Sequence, residues 1–130
     1  MVIKGHKVVS FDVDDTLVLW DKSDYPEEAY IDVEFSGYTT ALVPHEKNIN
    51  LLKKFAKLGY TVIVWTQSGY DWGEAIVEAL DLWEYVDLVM TKPSFYVDDM
   101  PAQHWIGPRI WREPSTGEET TYGQRIQSGE

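Results

Sequence analysis

Apolar residues in this chain fall in short runs, and each run breaks at a polar or charged stop. Val8, Val9 and Phe11 form the first run, over 7–12. β-Branched and aromatic residues suit a pleated surface covered on both faces, so this run predicts a buried strand. From 18 to 30 the chain turns polar and turn-rich, with Trp20-Asp21-Lys22-Ser23-Asp24-Tyr25-Pro26 at its centre, and predicts an excursion from the core. Ile31, Val33 and Phe35 then alternate with Asp32 and Glu34, the period-two signature of a half-exposed strand. Ser36-Gly37 is a two-residue turn signal and 38–43 a return strand, so a β-hairpin flap over about 18–43 follows the first strand.

Pro44-His45-Glu46 opens a helix in which Ile49, Leu52, Phe55 and Ala56 recur at helical spacing opposite Lys53, Lys54 and Lys57. Gly59 stands where a left-handed cap ends such a helix. A second buried strand is predicted over 60–65, stopping at Thr66-Gln67-Ser68-Gly69, and a second helix over 72–82 with Ala75, Ile76, Ala79 and Leu80 inward. Residues 86–90 predict a third strand and 95–97 a fourth, which runs into Asp98-Asp99. Strand, helix, strand, helix, strand is the alternation of an α/β fold, a parallel sheet with helices on its faces. After Met100 the pattern weakens. Trp105-Ile106 and Ile110-Trp111 flank Gly107-Pro108 as an added edge strand or a docking surface, and the residues from Glu113 on suit a loose hairpin or disorder.

Length and composition narrow the picture. A chain of 130 residues is expected to fold as a single domain, with 101–130 as a C-terminal extension. At 44% hydrophobic and 25% charged residues it has the make-up of a soluble globular protein. Without cysteine there is no disulfide framework, thiolate zinc site or thiol nucleophile. No run approaches membrane-spanning length and the N-terminus lacks the apolar core of a signal peptide, so a cytoplasmic protein with no membrane partner is expected. A formal net charge of −11 works against nucleic-acid binding, which depends on clustered Lys and Arg. It leaves open a small anionic substrate that arrives with a metal.

The chemistry gathers at the strand ends. Asp12, Asp14 and Asp15 follow directly on the first strand, and Asp12 and Asp14, two apart, share a face if the strand geometry persists. Adjacent carboxylates repel. A cation removes that penalty, and Mg²⁺ is the usual partner of a small all-oxygen site. Thr66, Lys92 and Asp98-Asp99 stand at the ends of the three later strands. In open α/β sheets the carboxyl edge is where ligands bind. Amides at the start of the helix after Gly69 are a further expected anion contact. His6, His45 and His104 show no metal spacing and are expected to be structural or surface residues.

This constellation resembles the haloacid-dehalogenase (HAD)-like phosphatase superfamily, in its small, minimal-cap form. That family carries Asp-x-Asp-x-Thr, a Thr or Ser, a Lys or Arg, and an acidic pair at successive strand ends. Here they read Asp12-Val13-Asp14-Asp15-Thr16, Thr66, Lys92 and Asp98-Asp99, over about residues 7–100. Position 15, often Gly in that family, is Asp here, with no change expected in the chemistry. The resemblance implies a three-layer Rossmann-like sheet and a Mg²⁺-dependent phosphomonoester hydrolase. Asp12 would be the nucleophile that forms an aspartyl-phosphate. Asp14 would protonate the leaving alkoxide and then deprotonate the hydrolytic water. Thr66, its neighbour Gln67, and Lys92 would hold the phosphoryl oxygens. The metal would be bound by Asp12, the Asp14 backbone carbonyl and the acidic pair, with Asp99 as direct ligand and Asp98 supporting Lys92 or a metal-bound water.

Rival readings make other demands. An EF-hand loop starting at Asp12 needs Gly sixth and Glu twelfth, where the chain has Leu17 and Ser23. A phosphate-loop NTPase motif is absent. A receiver domain needs a phospho-accepting Asp at a third strand end before the Thr, and Asp21, Asp24 and Asp32 end no buried strand. A phosphatase-like fold kept as a signalling or binding module, without turnover, is the alternative that remains. The segment after the first strand holds a flap and not a cap domain, which suits a large substrate or closure by a neighbouring subunit in a homo-oligomer. Trp20, Tyr25, Tyr30 and Tyr38 on or near it suggest stacking on a base, hence a nucleotide, a sugar phosphate being the other small-substrate class, or a polynucleotide 3′-phosphate that the net charge disfavours.

Overall fold

The computed structural model describes residues 7–107 and 109–121. By their packing the residues fall into two compact units, Met1–Lys92 and Pro93–Glu130.

The first unit is an α/β unit built on a three-stranded parallel sheet in the order β1-β5-β6. β5 (Thr61–Thr66) is the central strand, and its near-continuous burial matches its unbroken apolar text. β1 (Val8–Phe11) pairs with it from Val8↔Thr61 to Phe11↔Val64, and β6 (Leu88–Thr91) from Ile63↔Leu88 to Thr66↔Thr91. β1 was expected to be buried on both faces, but as an edge strand it runs from a half-exposed Val8 to a buried Phe11.

The link from β1 to β5 holds the flap and the first helix. Val18 and Leu19, expected in the polar excursion, instead form the short strand β2 (Val18–Leu19), completely buried at Val18 and pairing with the end of β4. The hairpin forms as predicted from β3 (Ile31–Phe35) and β4 (Tyr38–Pro44). Ser36 and Gly37 both take positive φ, 53° and 82°, as the tight hairpin turn requires. Helix α1 (Glu46–Lys57) is capped by the buried His45, whose Nδ1 accepts the Asn48 N–H at 3.1 Å. It ends at Gly59, φ 90°, where Tyr60 N–H reaches the Phe55 carbonyl and Gly59 N–H the Ala56 carbonyl.

Helix α2 (Tyr70–Ala79) links β5 to β6 and packs on β5, β6 and the hairpin strand β3. It starts and stops earlier than the expected 72–82. Asp81, φ 55°, takes the left-handed position usually filled by Gly, and the buried Leu82 returns its N–H to the Val77 carbonyl beyond the helix. Gly73 lets α2 approach the sheet, since a Cβ there would lie 2.8 Å from Val89 Cγ1. The core of this unit lies around Phe11, Val13, Leu17, Leu42, Leu52, Val64, Trp72 and Ile76. Each large apolar side chain buried there contributes roughly 1.5–3 kcal/mol before chain entropy is subtracted.

In the second unit the expected strand over 95–97 does not form. Phe95 and Val97 are 92% and 103% exposed and no strand among the described residues pairs with them, so a β-favouring run alone is not enough. Tyr96 contacts Trp105 edge-on at 6.2 Å, and its hydroxyl oxygen accepts the Ala102 N–H at 3.1 Å, ahead of a 3-10 turn over Ala102–His104. β7 (Ile110–Arg112) and β8 (Glu119–Thr121) form an antiparallel hairpin, with Arg112 paired to Glu119. Trp105 and Trp111, expected to pack on a sheet edge or a partner, are both exposed. Residues 122–130 and His6 lie outside the described residues. Among the described residues no helix is long and apolar enough to cross a membrane.

Candidate functional site

The parallel register brings the ends of β1, β5 and β6 to one edge of the sheet. Phe11 lies opposite Val64 and Thr66 opposite Thr91, so Asp12, Thr66 and Lys92 leave neighbouring strands on the same side. After β1 the chain makes a tight turn in which the N–H groups of Thr16, Leu17 and Val18 all reach the carbonyl of Val13, at 3.2, 2.9 and 3.3 Å. None of these bonds falls on the Asp14 carbonyl. Asp15 takes φ 59° at the centre of the turn. That left-handed position suits Gly and is tolerated by Asp, which accounts for the residue type the turn accepts there.

The turn is pinned from the hairpin side. His45 N–H donates to the Leu17 carbonyl at 2.9 Å, and the Asn48 side-chain amide donates to the Thr16 carbonyl at 2.9 Å. His45 and Asn48 are both buried, so α1 begins as a support for the acidic turn.

Asp14 is the most heavily engaged carboxylate here. Its Oδ1 accepts the indole N–H groups of Trp20 at 2.9 Å and Trp72 at 3.0 Å. Its Oδ2 accepts the hydroxyls of Ser68 at 3.1 Å and Thr66 at 3.4 Å. Thr66 Oγ1 in turn accepts the Ser68 N–H at 3.1 Å, which fixes the β5–α2 turn. The two indoles stack at 6.0 Å and 29°, and Phe35 of the hairpin meets Trp72 edge-on at 5.3 Å.

Burial pushes the Asp12 carboxyl above its ordinary value, against the Val13 N–H and the Lys92 charge, which pull it down. The neighbouring Asp14 raises it further and the Thr16 hydroxyl lowers it. Lys92, half-buried, anchors its backbone N–H on the Thr66 carbonyl at 3.0 Å and places its ammonium 5.9 Å from the centre of the Trp65 ring. A partly desolvated carboxylate with a second acid beside it and one Lys opposite is a hard-oxygen, cation-seeking environment. The Asp12 carboxylate and the Asp14 carbonyl are oxygen donors of the kind Mg²⁺ takes, and Mg²⁺ usually completes its shell with substrate oxygens and water. Among the described residues no group of three or more His, Asp or Glu is assembled as a metal cluster.

Of the residues expected in the site, the structure brings together Asp12, Asp14, Thr66 and Lys92. Gln67 is exposed on the turn after β5. Asp98 and Asp99 belong to the second unit, where Asp98 accepts the Met100 N–H at 3.0 Å, a bond that holds its carboxyl below the ordinary value. The start of α2 is not a free anion site. Tyr70 N–H donates to Thr91 Oγ1 and Trp72 N–H to Asp71 Oδ1, and the Asp71 charge opposes a second anion.

Ser68, Trp20 and Trp72 are site residues that the sequence reading missed. Ser68 lies two residues after Thr66, in the same turn. In the sequence Trp20 stands out only as a flap aromatic. Tyr25 and Tyr30, read the same way, are half-buried, and Tyr30 Oη lies 3.4 Å from the Lys22 carbonyl. Tyr38 is exposed at the hairpin turn. No protein-family model matches the chain, and no curated protein matches it.

Proposed function

We propose that the chain is a Mg²⁺-dependent phosphomonoester hydrolase of the HAD-like type, with the three-layer Rossmann-like fold of that superfamily. One observation carries this reading: Asp12, Asp14, Thr66 and Lys92 converge at the carboxyl edge of a parallel sheet, with Asp14 bonded to Thr66 and Lys92 acting on the charge of Asp12. In this reading a carboxylate oxygen of Asp12 attacks phosphorus, and the bond from phosphorus to the ester oxygen breaks. Asp14 gives its proton to the departing alkoxide. Asp14 then takes a proton from water, whose oxygen attacks the aspartyl-phosphate, releasing inorganic phosphate and restoring Asp12.

Two displacements through a carboxylate replace one difficult step. The Lys92 ammonium, together with the Thr66 hydroxyl and Gln67 on the turn, meets the phosphoryl oxygens and offsets repulsion between the Asp12 carboxylate and the substrate dianion. Asp12 and the Asp14 carbonyl would hold Mg²⁺, which would neutralise the remaining charge. Proton transfer by Asp14 is worth roughly 10²–10⁴-fold.

Among phosphomonoesters, nucleotides are the favoured substrates, ahead of sugar phosphates. Trp20 is 45% exposed and bonded to the same acid that serves the leaving group, so an open aromatic face lies beside the chemistry. A polynucleotide 3′-phosphate is less favoured by a chain of net charge −11. A cytoplasmic setting and a homo-oligomer that closes the open site belong to the same reading. A receiver-like module is less well supported, since the hairpin β3–β4 occupies the stretch where a further parallel strand with a terminal Asp would be needed. A phosphatase-like module without turnover is the second reading, favoured by the four donors that already occupy Asp14.

The test is to quench the protein in acid during incubation with a nucleoside monophosphate and Mg²⁺, then map its peptides. One phosphoryl group on the Asp12 peptide, released by hydroxylamine, is expected. Phosphate release with no such adduct, or an adduct on another residue, would refute the covalent route, and neither adduct nor release would favour the module.

A further inference from the structure

The four bonds to Asp14 are chemically unequal. An indole N–H is a donor only, whereas a hydroxyl both donates and accepts. Oδ1 receives two indoles, at 2.9 and 3.0 Å, which take up both of its lone-pair directions. A proton placed on Oδ1 would meet N–H groups that have nothing to accept it with. Oδ2 faces Ser68 Oγ and Thr66 Oγ1, either of which can rotate and accept when that oxygen carries a hydrogen. The two indoles also come from different elements, Trp20 from the segment after β2 and Trp72 from the first turn of α2. They stack on one another, and Phe35 at the hairpin end of β3 braces Trp72.

We infer that Trp20 and Trp72 are positioning residues for Asp14, locking Oδ1 so that Oδ2, beside Ser68, is the oxygen that exchanges the proton with the leaving group and with water. The inference rests on the phosphatase reading and assigns work to residues that reading does not use. It gives the flap a task in catalysis: through Phe35 and Trp20 it sets the orientation of the acid. The atoms balance as before, the transferred proton leaving Oδ2 for the alkoxide oxygen and returning to Oδ2 from water.

The experiment uses the full chain as wild type, Trp20→Phe, Ser68→Ala and Asp14→Asn. Trp20→Phe keeps an aromatic ring on Trp72 and removes the donor, at a half-exposed position where folding is little threatened. The first readout needs no turnover. In a proton–nitrogen correlation spectrum, Asp14→Asn is expected to shift the indole N–H signals of Trp20 and Trp72 and leave the other four of the six tryptophans in place. Trp20→Phe identifies one of the pair by its loss. The second readout compares an alkyl phosphate, whose leaving group needs a proton, with a nitrophenyl phosphate, whose leaving group does not. Trp20→Phe and Ser68→Ala are expected to lower kcat/KM, which reads the step that expels the leaving group and not the later hydrolysis common to both esters, about tenfold for the alkyl ester and less than about twofold for the aryl ester. Equal losses of kcat/KM on both esters, or indole signals that ignore Asp14→Asn, would overturn the inference while leaving the phosphatase reading intact. Wild type that releases phosphate from neither ester would remove that reading and this inference with it.

Discussion

The side-chain amide of Asn48, in the first turn of α1, holds the backbone carbonyl of Thr16 at 2.9 Å across 32 positions of chain. This bond ties the acidic turn to a helix that carries no candidate catalytic group. Asn48 is buried, so removing it strands the Thr16 carbonyl away from ready solvation. Asn48→Ala is expected to cost about 1–3 kcal/mol in urea unfolding and to lower kcat by loosening the turn. A loss within about 0.5 kcal/mol, as at an ordinary surface site, would show that the bond does not support the turn.

Asp12 is predicted to weaken the metal-free fold at neutral pH. Its carboxyl is raised above 3.8, chiefly by burial, so the folded state prefers the protonated form. Its contribution to stability is therefore complete below about pH 3.8 and is lost as pH rises through the higher folded value. In chelator at pH 7, Asp12→Asn should melt above wild type, and the gap should close as the pH falls towards that range. Mg²⁺ reverses the order. A ligand at ten times its Kd stabilises by about 1.4 kcal/mol, so wild type should gain that much while Asp12→Asn gains nothing. Equal Mg²⁺ shifts in both proteins would place the ion elsewhere.

Gly73 is predicted to resist replacement although it lies inside a helix. Gly→Ala in a helix normally gains up to about 1 kcal/mol. Here the new Cβ would sit 2.8 Å from Val89 Cγ1, a short branched side chain on a paired strand, and overpacking of that kind costs roughly 1–3 kcal/mol. The clash wins. Gly73→Ala should destabilise by about 1 kcal/mol, and adding Val89→Ala should recover the helix gain, a coupling that a double-mutant cycle measures.

Local features carried much of the first unit. The alternation in β3, the Ser36-Gly37 turn, the apolar stripe of α1 with Gly59 after it and the continuous apolar text of β5 are each settled within a few residues of chain, and each forms where expected. The misses are tertiary. Val18 and Leu19 lie in a short apolar run, 17–20, just ahead of polar text, and become strand because the end of β4 is there to pair with them. Residues 95–97 are β-favouring but have no strand to pair with among the described residues, and stay irregular. The end of α2 was hidden because Asp81 fills a position normally marked by Gly. In the candidate site, Asp12, Asp14, Thr66 and Lys92 were legible because successive strand ends deliver them to one edge. Ser68 and Trp72 were not, since their bonds to Asp14 span 54 and 58 positions and depend on how α2 seats against the turn.

The central claim is that Asp12 attacks phosphorus with the help of Mg²⁺, and phosphate release tests it most directly. Wild type and Asp12→Asn are each offered nucleoside monophosphates, sugar phosphates, an aryl phosphate and a 3′-phosphorylated oligonucleotide, with Mg²⁺ and with chelator. The account predicts release that requires Mg²⁺, favours the nucleoside monophosphates and disappears in Asp12→Asn. Undiminished release by Asp12→Asn, or release that chelator does not touch, would contradict it.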